Sequence, residues 1–102
     1  MKRIALTDEN GKWFDAESSE KFTEESYFNG RNCISKATDT QFNHQDLFYT
    51  KSGKWIICNW SNWQGSITTY SIISETRAAE WFLKQSTNLP ECLKKYESEY
   101  EV

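Results

Sequence analysis

The run Leu47–Ser74, LFYTKSGKWIICNWSNWQGSITTYSIIS, decides the fold. Trp55, Trp60 and Trp63 fall within it, flanked by Tyr49 and Tyr70, and the Ser52-Gly53 and Gln64-Gly65 pairs punctuate it. Aromatic and β-branched residues suit a pleated, half-buried surface, and glycine-bearing turns between such runs mark antiparallel hairpins. Three strands are therefore expected: Asp46 to Thr50, Lys54 to Ser61 and Ser66 to Ile73. The middle one is apolar on both faces, with Trp55 and Ile57 on one side and Ile56, Cys58 and Trp60 on the other. A strand buried on two faces sits centrally and is covered on at least one side by something other than strand.

The cover is sought downstream. Ser74 is a suitable N-cap, with Glu75 in the first turn, where the helix dipole favours an acid. Residues 75–86 place Ala78, Ala79, Trp81, Phe82 and Leu83 at helical spacing. With Trp55 and Ile57 they form the expected sheet–helix interface. Pro90 suits the first position of a second helix, along which Leu89, Leu93, Tyr96 and Tyr100 make one stripe.

Upstream, Lys2 to Thr7 alternates as a strand, Asp8 to Gly11 turns, and Lys12 to Asp15 forms a second short strand. Residues 16–28, with Phe22 alone among acids and serines, fit a polar edge strand or a short helix, and an irregular strand is the preferred reading. Asn29-Gly30 is a strong turn before a strand over Arg31 to Lys36, and the polar residues 37–45 read as a loop. The expected architecture is α+β in a single domain, 1–102. It has an antiparallel meander sheet of five or six strands, with one or two C-terminal helices packed on one face.

Composition narrows the function classes. The chain has 102 residues, 26% of them charged and 37% hydrophobic, with sixteen aromatics offsetting a mean hydropathy of -0.81. No apolar run approaches the roughly 18 residues of a membrane helix, and the N-terminus has no secretory pattern, so a cytoplasmic location is expected. Cys33, Cys58 and Cys92 are odd in number, widely spaced and without a C-x-x-C pair. They read as small buried hydrophobes in a reducing compartment. The net charge of -3 divides into -3 over residues 1–26, +2 over 27–74 and -2 over 75–102. The aromatic segment is thus mildly basic in an acidic protein.

Catalytic and metal signatures are weak. His44 is the sole histidine, in a polar stretch that reads as solvated, and no local motif surrounds any cysteine. Zinc sites use close ligand pairs, and these cysteines are far apart, so no metal or cofactor is expected. Glu17, Glu20, Glu24 and Glu25 read as a charged, solvated face. Gly11, Gly30, Gly53 and Gly65 are too scattered to build a phosphate-binding loop.

The aromatics remain. Trp60 and Trp63 bracket Ser61-Asn62 at a hairpin turn and are followed by Gln64, and turns lie on the surface. Trp63 either folds back to close the sheet edge, as scattered surface apolars need no other explanation, or anchors a partner, as exposed tryptophans do. In the second reading Trp60, Asn62, Trp63, Gln64, Arg31 and Lys54 form the binding set.

The motif GKWIICNWSNWQGSITTYSII, followed by AAEWFLK, resembles small uncharacterised bacterial proteins with a GKW…WSxWQGSxxTY core and an AAxW helix. That resemblance covers residues 47–84. It implies a free-standing accessory protein and carries no activity to transfer.

Three functions stay open on the sequence. The leading one is a non-enzymatic module binding a protein partner, in the manner of an inhibitor or antitoxin-like neutraliser, with homodimerisation through an edge strand as a variant. The second is a single-stranded nucleic-acid binder using Trp60, Trp63 and Tyr49 with Arg31, Lys36, Lys51 and Lys54. The acid excess disfavours it. The third is an enzyme using His44 with a cysteine or acid from elsewhere in the fold.

Overall fold

A computed structural model describes residues 1–102. Its centre is a four-stranded antiparallel sheet built around the two-faced tryptophan strand. In chain order the strands are β1 (Arg3–Ala5), β2 (Trp13–Asp15), β3 (Glu20–Thr23), β4 (Ser26–Phe28), β5 (Cys33–Ser35), β6 (Asn43–Tyr49), β7 (Trp55–Ser61) and β8 (Thr69–Ile73). The main sheet runs β3-β6-β7-β8, and β1-β2 and β4-β5 form separate two-stranded ribbons. Helix α1 (Glu75–Lys84), a 3-10 turn (Glu91–Leu93) and helix α2 (Lys95–Glu99) complete the chain. The class is α+β, as expected, but the strands number eight and are divided among three sheets.

Strand alternation sends β7 side chains to two separate cores. On one face Leu47, Trp55 and Ile57 meet Ala78, Ala79, Trp81 and Phe82 of α1, with Leu89 and Leu93 behind them. Ala78 and Ala79 are wholly buried, so the helix backbone approaches the sheet closely. Phe22, Trp55 and Phe82 meet at ring-centroid distances of 5.2 to 5.9 Å, with Phe82 edge-on to both partners. On the other face Phe48, Ile56 and Cys58 lie under Leu6 and Phe14 of the N-terminal ribbon. Leu47, Ile56 and Leu93 are fully shielded, each stabilising the fold by about 1.5–3 kcal/mol.

The helix forms where its caps allow. The Ser74 hydroxyl accepts the Arg77 N–H at 3.2 Å, an interaction worth about 1 kcal/mol. Beyond Gln85 the chain leaves the helix at Ser86, φ 58°, and the Thr87 N–H returns to the Phe82 carbonyl at 3.2 Å. The expected Leu89–Leu93–Tyr96–Tyr100 stripe does not run along one helix: Leu89 precedes Pro90, Leu93 ends the 3-10 turn, and only Tyr96 lies within α2. Leu89 and Leu93 are buried, Tyr96 packs on the helix-side core, and the Tyr100 hydroxyl donates to Glu80 at 2.8 Å. Pro90 precedes the 3-10 turn as its cap rather than opening a helix.

Three sequence expectations are corrected, and the structure supplies one cover that the sequence left open. Residues 16–28 are not one strand, because β3 ends at Thr23 and β4 starts at Ser26 as part of an outlying ribbon. Residues 37–45 are not all loop: β6 begins at Asn43, because Asn43, His44 and Gln45 pair with Ser61, Trp60 and Asn59 in register. The second core face is covered by the N-terminal ribbon, which is latched to β8 where the Thr7 N–H donates to the Tyr70 carbonyl and the Tyr70 N–H to Thr7 Oγ1, both at 2.8 Å. Finally, only Cys58 is buried, while Cys33 and Cys92 are exposed free thiols. Cys33 begins β5 at the exposed end of its ribbon, and Cys92 sits in the 3-10 turn.

Candidate interaction surface

The end of the main sheet where β6 begins and β7 finishes carries two of the chain's exposed aromatics, Phe42 and Trp63, and the exposed Ile67. The ladder extends one step past β7, with the Asn62 N–H donating to the Phe42 carbonyl at 2.9 Å. That bond sets the two flanking segments side by side. Trp63 then stacks on Phe42 at 4.5 Å between ring centroids, tilted by 32°. A tight turn follows, in which the Ser66 N–H reaches the Trp63 carbonyl at 3.2 Å and Gly65 takes φ 85°. A side chain at Gly65 would be strained there. Trp63 is 60% exposed and Ile67, just beyond the turn, is 82% exposed.

Beneath this patch lies a hydrogen-bonded support. His44, opposite Trp60 in the ladder, stacks on its indole at 4.3 Å and 22°. His44 Nδ1 lies 2.6 Å from Glu24 Oε2, so it carries the proton donated to the carboxylate. The other Glu24 oxygen accepts the Ser35 hydroxyl and the Gln45 N–H, both at 2.7 Å. The Asn62 amide contacts the Gln41 carbonyl at 3.3 Å and His44 Nε2 at 3.1 Å. Both partners are acceptors when the imidazole is neutral with its proton on Nδ1, so the amide NH2 serves each with one hydrogen. The Trp60 indole N–H donates to Asp46 at 3.1 Å. Across the sheet, Trp81 Nε1 donates to Gln45, and Gln45 in turn to Asn59, at 3.1 and 2.9 Å.

Glu24 and His44 are the residues that sequence reasoning placed wrongly. Their side chains are only 11% and 14% exposed, not solvated. Burial of a carboxylate needs several donors, and those of Glu24 come from positions 11, 20 and 21 residues away. No local pattern could announce them. Phe42 and Ile67 were also missed. The only sequence signal for Phe42 is a lone aromatic in a polar segment.

Of the proposed binding set, Trp60, Asn62, Trp63 and Gln64 lie at this end of the sheet. Trp60 is half-buried, and its ring is engaged by His44. Arg31 sits at the tip of the β4-β5 ribbon, its backbone N–H donating to the Asn29 side chain at 3.0 Å. Lys54 precedes Trp55 at the opposite end of β7, about 20 Å away along the strand. The structure does not bring it to Trp63.

The chemistry available here is limited in a definite way. A carboxylate–imidazole pair can orient a general base, but the Nε2 lone pair of His44 is occupied by Asn62. No hydroxyl or thiol hydrogen-bonds to either ring nitrogen. Cys58 belongs to the ribbon-covered face, where burial pushes its thiol up and Tyr70 hydrogen-bonds to it. A raised thiol is a poor nucleophile at neutral pH. No three His, Cys, Asp or Glu side chains converge to hold a metal ion, and no helix is long and apolar enough to cross a membrane. No protein-family model, curated protein or solved structure matches this chain.

Proposed function

We propose that this chain is a non-enzymatic binding module that receives a protein partner on the Phe42–Trp63–Ile67 patch. The observation that carries this reading is Trp63, 60% exposed yet fixed by its stack on Phe42. An exposed aromatic held in one place loses little side-chain entropy on binding, which is the economy of a binding hot spot. The support beneath it is rigid because each donor in the Glu24–His44–Asn62 chain meets an acceptor. The same bonds commit both nitrogens of His44, which favours a structural role over a catalytic one.

The partner's character follows from charge. A chain of net charge -3 accelerates encounter with a basic surface. An inhibitor or antitoxin-like neutraliser of a basic enzyme fits this description. Nucleic acid fits less well, since Lys51 and Lys54 lie at the far end of β7 from Trp63 and cannot flank a strand stacked on it. The test is Trp63→Ala. Partner affinity falls by about 2 kcal/mol or more, roughly thirtyfold, while the thermal midpoint of the exposed-site variant stays close to wild type. Unchanged affinity would move the site elsewhere.

A further inference from the structure

A second site lies at the opposite end of the main sheet. Between the β1-β2 ribbon and the β6–β7 turn there is an open cleft of about 590 Å³, within the range of small-molecule sites, about 300–1,000 Å³. Its floor is apolar and partly uncovered: Phe14 and Ile56 are buried, whereas Ile72 is 37% exposed. Trp13 lines one side at 47% exposure, with the Arg3 guanidinium 4.6 Å from its ring.

The rim reverses the charge of the protein. Lys12, Lys51 and Lys54 line the cleft against one carboxylate, Asp15. Asp15 Oδ1 is engaged by the backbone N–H groups of Lys2 and Glu17 at 2.9 and 3.1 Å. Lys12 has a loose pairing to Glu9 at 3.5 Å, and neither Lys51 nor Lys54 joins an ion pair. The turn that carries them is nonetheless fixed. The Gly53 N–H donates to the Thr50 carbonyl and the Lys54 N–H to Thr50 Oγ1, each at 3.0 Å, and Gly53 takes φ 82°.

We infer that this cleft binds a small anionic aromatic molecule of the nucleoside phosphate class, its ring against Trp13 and Ile72 and its phosphates on Lys12, Lys51 and Lys54. Lysine ammonium groups act as point charges toward phosphate. A bare anion would leave the apolar floor unused, and a neutral aromatic would leave Lys51 and Lys54 without a counter-charge. A ligand carrying both parts satisfies both features. Its site is remote from Trp63, so its success or failure is separate from that of the proposed partner surface.

The test is calorimetric titration of the whole protein with adenosine diphosphate, adenosine and pyrophosphate at low salt. The diphosphate nucleotide binds saturably, and the other two bind at least about tenfold more weakly. The double variant Lys51→Ala/Lys54→Ala loses about tenfold or more in nucleotide affinity, as expected for a lost charge-assisted contact. Lys51→Arg/Lys54→Arg retains binding, and Trp63→Ala leaves it unchanged. The inference is overturned by no saturable binding up to about 1 mM, by pyrophosphate binding as tightly as the nucleotide, or by a double alanine variant equal to wild type.

Discussion

Replacing Glu24 with alanine removes the acceptor on which one end of the sheet converges. Three bonds disappear together: from the Ser35 hydroxyl on β5, from His44 Nδ1 and from the Gln45 backbone N–H, both on β6. At 11% side-chain exposure, water replaces the carboxylate poorly. A hydrogen bond to a charged group contributes about 1.5–3 kcal/mol, and an unsatisfied buried donor costs about 1–3. Because the Ser35 hydroxyl can rotate and water can enter the space vacated, the expected net loss is about 3–5 kcal/mol, a large part of the roughly 5–15 kcal/mol of a typical domain. Glu24→Gln is milder, at about 1–2 kcal/mol, since the amide oxygen still serves Ser35 and Gln45. Its NH2, however, forces His44 to move its proton to Nε2, where it opposes the Asn62 NH2. Urea unfolding followed by tryptophan fluorescence measures both variants, and Trp60, stacked on His44, makes the signal sensitive to this region. A loss below about 1 kcal/mol for the alanine variant would show that Glu24 behaves as a solvated surface acid and that the patch above it has no rigid support.

Two further outcomes test other parts of the molecule. The Asp15 carboxyl is held below its ordinary value mainly by the Lys2 backbone N–H, so its contribution is present above about pH 4 and fades as pH falls through the depressed folded value. The protection of the Lys2 and Glu17 amides, measured against their intrinsic exchange rates at each pH, therefore falls in acid and in Asp15→Ala at neutral pH, and equal protection in the variant would refute the role of the Asp15 carboxylate. Under native conditions a thiol reagent modifies Cys33 and Cys92 rapidly and Cys58 only on unfolding, because burial raises the Cys58 thiol. Mass spectrometry showing three rapid additions would contradict the covered face.

How much of this could be read from the residues depends on the range of the interactions. The two-faced character of β7, the Ser74 cap and the Ala78–Phe82 stripe are local or periodic, and each appears in the structure where the pattern placed it. The inward packing of Leu89, Leu93 and Tyr96 was legible in the same way, but the single helix expected to carry it is a 3-10 turn followed by a short helix. The position of His44 is different. A polar composition suggests loop, but seven consecutive pairings between β6 and β7 outweigh the local preference of Asn43, His44 and Gln45. Glu24 was legible only as one acid in an acidic run, since its three donors are scattered along the chain. The division into three sheets was hidden for a related reason. The β4-β5 ribbon interrupts the path between β3 and β6, which pair across nineteen intervening residues, and no periodicity records that return. At the candidate surface, Trp63 was visible because a turn marks it, whereas its companion Phe42 was assigned by the backbone bond that aligns the two segments.

The most direct test of the partner surface is a comparative capture from host lysate, treated with nuclease, using the wild-type protein, Trp63→Ala and Trp13→Ala as baits. Trp13 is exposed at the other end of the molecule and controls for nonspecific aromatic stickiness. A protein-binding site at Trp63 requires one dominant protein retained by wild type and by Trp13→Ala and lost with Trp63→Ala. Equal retention by all three baits, or loss of every retained species on nuclease treatment, would contradict a protein-binding site at Trp63.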